Sequence, residues 1–239
     1  MRITIAGMKI EVFENADRVA QKAASVIAEE ARRAVALRGC FIIAVSGGKT
    51  PWKMLRALAD EDVPWDGMHI VQVDERLAPE GHPDRNLTHL RESLLGYTPL
   101  LPERIHAMQV EQKNPEAAAA SYALTIMEIA GSPPIIDLVH LGLGPDGHTA
   151  SLIPGDPVLD VTDRDVASTG IYQGRQRLTL TYPIINRARK ILWLVTGSEK
   201  NNMLQRLLDG DCSIPAGRIS QEHAMILADK DAASETKPI

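Results

Sequence analysis

The chain has 239 residues, 44% hydrophobic and 24% charged, enough apolar material for a substantial core and ordinary for a globular protein. A net charge of −5, no dense basic run and only 4% aromatics argue against a nucleic-acid binder, which needs a basic footprint and stacking platforms. Cys40 and Cys212 are isolated, so no zinc ribbon or C-x-x-C redox pair is expected, and no apolar run reaches the ~20 residues of a membrane span. The first residues meet charge early and show no apolar h-region, which makes a cytoplasmic protein the expectation.

The amino-terminal stretch MRITIAGMKIEVF alternates polar and apolar residues. After it, Val19, Ala23, Val26, Ile27, Ala31, Ala34 and Val35 share one stripe at helical spacing, with Asn15 as the N-cap and Gly39 as the stop. FIIAVS is a short continuous apolar run, the mark of a buried parallel strand. GGKTP then turns the chain into a helix over WKMLRALAD, with Thr50 predicted as N-cap and Pro51 as the first helical residue. HIVQVD reads as the second buried strand and PEAAAASYALTIMEIAG as the next helix, ended by Gly131 and two prolines. IIDLVHLGLG is the third strand and KILWLVTG the fourth, followed by the helix SEKNNMLQRLLDG. Leu77–Asn86 and Asp156–Gly174 are the longest irregular stretches, and the tail DKDAASETKPI is polar and expected to fray. Strands alternating with helices predict an α/β fold with a mainly parallel sheet in one domain over 1–239. In such sheets ligands bind beyond the carboxyl ends of the strands, so the residues there carry the functional reading.

The first strand ends in Ser46-Gly47-Gly48-Lys49-Thr50-Pro51, a glycine turn feeding a helix N-terminus, which is a ready anion site. A P-loop is excluded because Ile43 stands where its first glycine belongs. The second strand ends in Asp74-Glu75-Arg76: alone, a surface ion pair; beside the glycine turn, a guanidinium fork for phosphate. The third ends in LGLGPDGHTASLIPG, whose G-x-G-x-x-G imitates a dinucleotide turn. Pro154 and Gly155 end it before a crossover helix can form, and Pro145 lacks an N–H, so no dinucleotide cofactor is expected. An unperturbed histidine titrates near neutrality, so His148, with Asp146 placed to orient it, forms a pairing suited to taking a proton from water. His140, in the strand body, reads as structural. The fourth strand ends in Gly197-Ser198-Glu199-Lys200, where Lys200 begins a helix within reach of the same cleft. Arg175 and Arg177 precede the alternating run LTLT, each readable as a residue of an edge strand. The set describes a site for a small phosphorylated substrate, with no metal motif.

SGGKTP, DER, LGLGPDGHTASLIPG, RLTLT and GSEK occur in this order over nearly the whole chain, which thereby resembles the 6-phosphogluconolactonase family. The resemblance implies a Rossmann-like sheet with small additional β/α elements, shared with sugar-phosphate isomerases and glucosamine-6-phosphate deaminases. It implies hydrolysis of 6-phospho-D-glucono-1,5-lactone to 6-phospho-D-gluconate, the second step of the oxidative pentose phosphate pathway, without a cofactor. By that resemblance His148 is the general base and Asp146 its supporting acid. Ser46, Gly47, Gly48, Thr50, Arg76 and Lys200 lie on the phosphate side, Arg177 and Asn86 near the sugar. STGIYQGRQ lacks the family's prolines, which leaves Arg175 an alternative to Arg177, and DRNL fits the family's asparagine motif loosely. Asp229 keeps its place near the carboxyl terminus. The oxyanion donors are expected among the N–H groups of the Gly144–Gly147 loop or a cation. The rival reading is a deaminase or isomerase, whose pattern has Tyr where Arg76 stands and an acid beyond the histidine, where this chain has TASLIP. A non-catalytic sugar-phosphate sensor ranks third, because this length leaves no room for an effector domain. The partner expected is a small phosphorylated sugar lactone, not nucleic acid or membrane, and the expected state is a monomer or a weak homodimer.

Overall fold

The computed structural model describes residues 2–5 and 8–234. In chain order the strands and α-helices are β1 (Arg2–Ile5), β2 (Met8–Phe13), α1 (Ala16–Arg38), β3 (Phe41–Val45), α2 (Lys49–Leu58), β4 (Met68–Gln72), β5 (Asp74–Arg76), α3 (Asn86–Ser93), β6 (Ile105–His106), α4 (Pro115–Ala130), β7 (Leu138–Gly142), β8 (Val166–Ser168), β9 (Arg177–Leu180), α5 (Tyr182–Asn186), β10 (Ile191–Val195), α6 (Asn201–Leu208) and β11 (Ala224–Asp229).

Eight strands form one sheet in the order β1-β2-β11-β10-β7-β3-β4-β6, parallel throughout except for the β1–β2 pair. This is the expected α/β architecture in its doubly wound form. From β3 the chain proceeds outward through β4 and β6, then returns to β7 on the other side of β3 and continues through β10 and β11. The winding therefore reverses between β3 and β7, and the crevice at their carboxyl ends is where such sheets bind ligands.

Both faces of the sheet are covered, which is why its central strands read as continuous apolar runs. Phe41, Ile43 and Val45 point to the layer of α1, α2 and α3, while Ile42 and Ala44 point to the layer that includes α4 and α6. Helix α1 is closed as its sequence predicts: the Asn15 side chain accepts from Arg18 N at 3.1 Å, and Gly39 adopts φ 77° with its N–H on the Val35 carbonyl. Val35 itself is only partly buried at the margin of the stripe.

The single strand expected over HIVQVD is two. Val73 donates to Val45 O in the main sheet and accepts from Leu180 N, so the chain passes there from one sheet to another. Beyond it, β5, β9 and β8 form a small antiparallel sheet with β9 in the middle. RLTLT is thus a central strand, not an edge, and all four residues of β9 are buried. Asp156–Gly174, expected to be irregular, contains a short 3-10 turn at Pro157–Asp160 as well as β8. Within the predicted fraying tail Asp229 and Ala232 are buried, and its last five residues, 235–239, lie outside the described residues. No helix among the described residues is long and apolar enough to cross a membrane.

Candidate active site

A cavity of about 680 Å³ opens at the carboxyl ends of β3, β7 and β10, a volume suited to a sugar phosphate. Nine of the ten residues singled out above line it: Ser46, Gly47, Gly48, Thr50, Arg76, Asn86, His148, Arg177 and Lys200. The tenth, Asp146, touches His148.

The loop after β3 enters α2 earlier than expected. Gly48 is the N-cap at φ 131°, and Lys49 begins the helix, so Thr50 and Pro51 sit inside the first turn. The reason is glycine: Gly48 takes a backbone conformation closed to other residues and starts the helix two residues sooner. The first-turn N–H groups of α2 have no carbonyl of their own helix to bond, and they border the cavity. Thr50 Oγ1 shares a 2.8 Å hydrogen bond with Thr196 Oγ1, tying α2 to the end of β10. Ser46 faces inward: its hydroxyl donates to His140 O at 2.8 Å and its N–H to His140 Nδ1 at 3.2 Å. His140 therefore carries its proton on Nε2, and burial pushes its pKa down to about 3, so it stays neutral. It is the structural histidine the sequence implied, with a role that only the fold displays: it fastens the loop of β3 to the body of β7.

Asp74 and Glu75 are buried, so the surface ion-pair reading fails. Glu75 is a bracket. It accepts from Gln72 Nε2, from Arg76 N, and from Asn86 N and Leu87 N at the start of α3, and it faces Arg85 Nε at 3.4 Å. It thereby caps a helix remote in sequence. Asn86 is held by the Asp74 carbonyl at 3.0 Å and presses its amide against Gly47, where an added Cβ would lie 2.0 Å from Asn86 Oδ1. Asp74 lines the cavity and accepts from Ser151 Oγ at 2.6 Å.

Arg76 and Arg177 stand directly opposite each other across β5 and β9. Like charges so paired repel, an arrangement that an anion between them relieves. Burial lowers the Arg177 pKa; Asp74 opposes this and Arg76 adds to it. The Arg177 Nε is buried without a partner, and its Nη contacts, 3.5 Å to Ser151 Oγ and 3.4 Å to Gln173 Oε1, are long. Arg175 does not line the cavity; its Nε donates to Asp84 Oδ2 at 3.0 Å. Burial likewise lowers the Lys200 ammonium, against the pull of Glu199 and Asp146.

The loop after β7 folds on itself. Gly144 N donates to His148 O at 2.8 Å and Gly147 N to Gly144 O at 3.1 Å, which removes both glycine amides from the oxyanion donors expected there. A Cβ at Gly144 would lie 2.1 Å from His148 Nδ1, so this glycine makes room for the imidazole ring. Gly147 has φ 84°, and Gly142 has open space around it. The first helical element after Gly147 is the short 3-10 turn at Pro157–Asp160, so no helix begins at this glycine turn. His148 Nδ1 lies 2.5 Å from Asp146 Oδ1, which also accepts the His148 backbone N–H at 3.2 Å. An ionised carboxylate only accepts, so Nδ1 is the donor, and in the neutral tautomer that this selects the lone pair lies on Nε2. Burial alone would raise the Asp146 carboxyl; the facing imidazole and the hydrogen bonds from His148 and Tyr172 outweigh it and hold the group below the usual range.

Sequence reasoning missed Tyr172. Its hydroxyl donates to Asp146 Oδ2 at 3.1 Å, and its ring meets His148 edge-on at 5.7 Å between centroids. It opens a two-residue hairpin in which Gln173 (φ 50°) and Gly174 (φ 77°) are both left-handed. Such turns favour Asn or Asp before Gly, and Gln-Gly disguised the signal.

Residues 14–228 match the profile of the family described as glucosamine-6-phosphate isomerases/6-phosphogluconolactonase. The chain belongs to this family. Within the family, a 6-phosphogluconolactonase of Synechocystis is 35% identical over 238 residues, spanning 96% of this chain and 99% of that protein. The solved 6-phosphogluconolactonase from Trypanosoma cruzi superposes with a TM-score of 0.85 at 24% identity, covering 99% of each chain. A solved monomeric glucosamine-6-phosphate deaminase superposes with a TM-score of 0.83 at 19% identity, covering 96% of this chain and all of the other. Both branches of the family thus share this fold, and the choice between them rests on side chains.

Proposed function

We propose that this chain hydrolyses 6-phospho-D-glucono-1,5-lactone to 6-phospho-D-gluconate, the second step of the oxidative pentose phosphate pathway. The observation that carries the reading is the Asp146–His148 pair. It leaves His148 Nε2 as the open base beside a cavity furnished with Arg76, Arg177 and Lys200.

In this reading the substrate phosphate sits on the first turn of α2, with Arg76 and Lys200 as counter-charges, which places the lactone ring toward His148. His148 Nε2 takes a proton from water as its oxygen adds to the lactone carbonyl. The resulting oxyanion is met by a cation, since the glycine amides of the β7 loop are engaged elsewhere. Arg177 suits this role: its guanidinium lies 5.0 Å over the Tyr172 ring, next to His148. As the tetrahedral intermediate collapses, the carbonyl re-forms, the ring C–O bond breaks, and the imidazolium returns its proton to the departing alkoxide. The product carboxylic acid then ionises.

The deaminase reading keeps one supporting observation, the buried carboxylate of Asp74 at the cavity wall, an acid or base for a proton shuttle. Against it, Thr149–Pro154 supplies no acid beyond the histidine, and Arg76 replaces the expected tyrosine. Freshly generated lactone, with spontaneous hydrolysis subtracted and with and without a chelator, tests the proposal. Accelerated opening unaffected by the chelator is expected. No acceleration, or ammonia release from glucosamine 6-phosphate, overturns it.

A further inference from the structure

Tyr172 opens a hairpin whose neighbouring residues are exposed: Ile171 is 81% exposed, and Gln173, which touches Arg177 through its Oε1, and Gly174 are exposed as well. The Tyr172 side chain turns inward, and the partners it finds there belong to the site. The hydroxyl holds Asp146 Oδ2, the ring edge meets His148, and the ring face lies under the Arg177 guanidinium. The strand-like pairing of Tyr172 with Arg175 and the Arg175–Asp84 ion pair anchor the hairpin to the loop before α3.

Asp146 needs such an anchor. Its Oδ1 takes both hydrogen bonds from His148, and because Oδ1 and Oδ2 turn together about the Cβ–Cγ bond, a hydrogen bond on Oδ2 holds Oδ1 in place as well. A swing would carry Oδ1 off Nδ1 and let the imidazole shift its proton to Nε2, where it no longer serves as a base. We infer that Tyr172 is a positioning residue of this site: its hydroxyl locks Asp146, which keeps His148 in the base-competent tautomer, and its ring seats Arg177. The assignment of a base rests on the lactonase reading; the tautomer lock does not.

Tyr172→Phe removes the hydroxyl and keeps the ring; Tyr172→Leu removes both. For Y172F, kcat is expected to fall about tenfold, the lower end for a hydrogen bond to a charged group, because water reaches Asp146 in part. KM should stay within about twofold, since the variant touches no ground-state contact. Y172L should lose kcat likewise and raise KM as Arg177 loses its seat. In an Asp146→Asn background Y172F should cost less than about twofold more, the signature of two residues acting through one contact. The ¹⁵N spectrum of the His148 imidazole reports the tautomer without turnover: Nδ1–H in the wild type, and mixed in Y172F. A Y172F protein with wild-type kcat and an unchanged tautomer overturns the inference, as does a rise in KM alone, which would make Tyr172 a substrate contact. If the wild type opens no lactone, the functional reading fails, and the imidazole spectrum still decides the role of Tyr172.

Discussion

Two glycine-rich loops meet at the same crevice and use glycine for opposite ends. After β3, Gly48 takes a positive φ so that α2 can begin at once, and the amides of its first turn stay open to a ligand. After β7, the amides of Gly144 and Gly147 close upon the loop itself, Thr149 Oγ1 donates to Gly142 O, and Ala216 N donates to Gly147 O. The first loop offers its backbone. The second hides its backbone to hold two side chains, and Gly144 is small because the His148 ring passes over it. A shared composition therefore says little about what a glycine loop does; the destination of its N–H groups says it.

Substitutions in either loop test this division of labour. The largest effect is expected from His148→Ala, with kcat down on the order of 10³-fold and product affinity little changed, measured on fresh lactone. Retained turnover in that variant would remove the general base from the mechanism. Gly144→Ala should displace the imidazole and lower kcat on the order of 10²-fold, while calorimetric binding of 6-phosphogluconate stays within a few-fold. If G144A instead weakened binding and spared kcat, the division between the two loops would be wrong. Gly48→Ala should do the reverse: KM up about tenfold with kcat nearly intact, because the strained N-cap pulls the open amides out of place.

A smaller effect joins the two loops through His140, which rises from β7 and holds Ser46. Burial depresses its pKa from the ordinary 6.5 to about 3, so between these values the unfolded chain binds a proton that the folded one refuses. Stability contributed by the neutral form is complete above 6.5 and falls as pH drops, by about 1.4 kcal/mol per pH unit while only the unfolded state is protonated. His69 and His106, whose pKa values burial also lowers, act in the same direction. Urea unfolding at pH 7 and pH 5 should show the loss, and His140→Gln should flatten the slope by about one proton's worth. An unchanged slope would mean that His140 is not held neutral.

Much of the site was legible in linear order because the Ser46–Thr50 loop, the Asp146–His148 loop and Lys200 lie just after apolar runs, where parallel sheets place their ligands. The acid–histidine pair, two residues apart, forms its contact within one loop, so its geometry is local. What escaped was non-local. Val73 reads as one more buried strand residue, yet hydrogen bonds to two different sheets end the strand there. Glu75 looked like surface charge because the α3 amides that it caps lie more than ten residues away. The choice between Arg175 and Arg177 could not be made from spacing; Arg177 opens β9 and is buried at the cavity, while Arg175 lies in the hairpin before it, where Asp84 claims it.

By itself the sequence determined the alternation of strand and helix, the caps of α1 and the glycine turns, since periodicity, capping chemistry and backbone freedom act over a few residues. It also determined the motif order that marks the family. Only the tertiary structure decided which amides stay open, which carboxylates are buried, and that Tyr172 reaches back to Asp146. Those outcomes depend on which distant groups the sheet brings within hydrogen-bond range, and that range, about 3 Å, is far shorter than the chain between them.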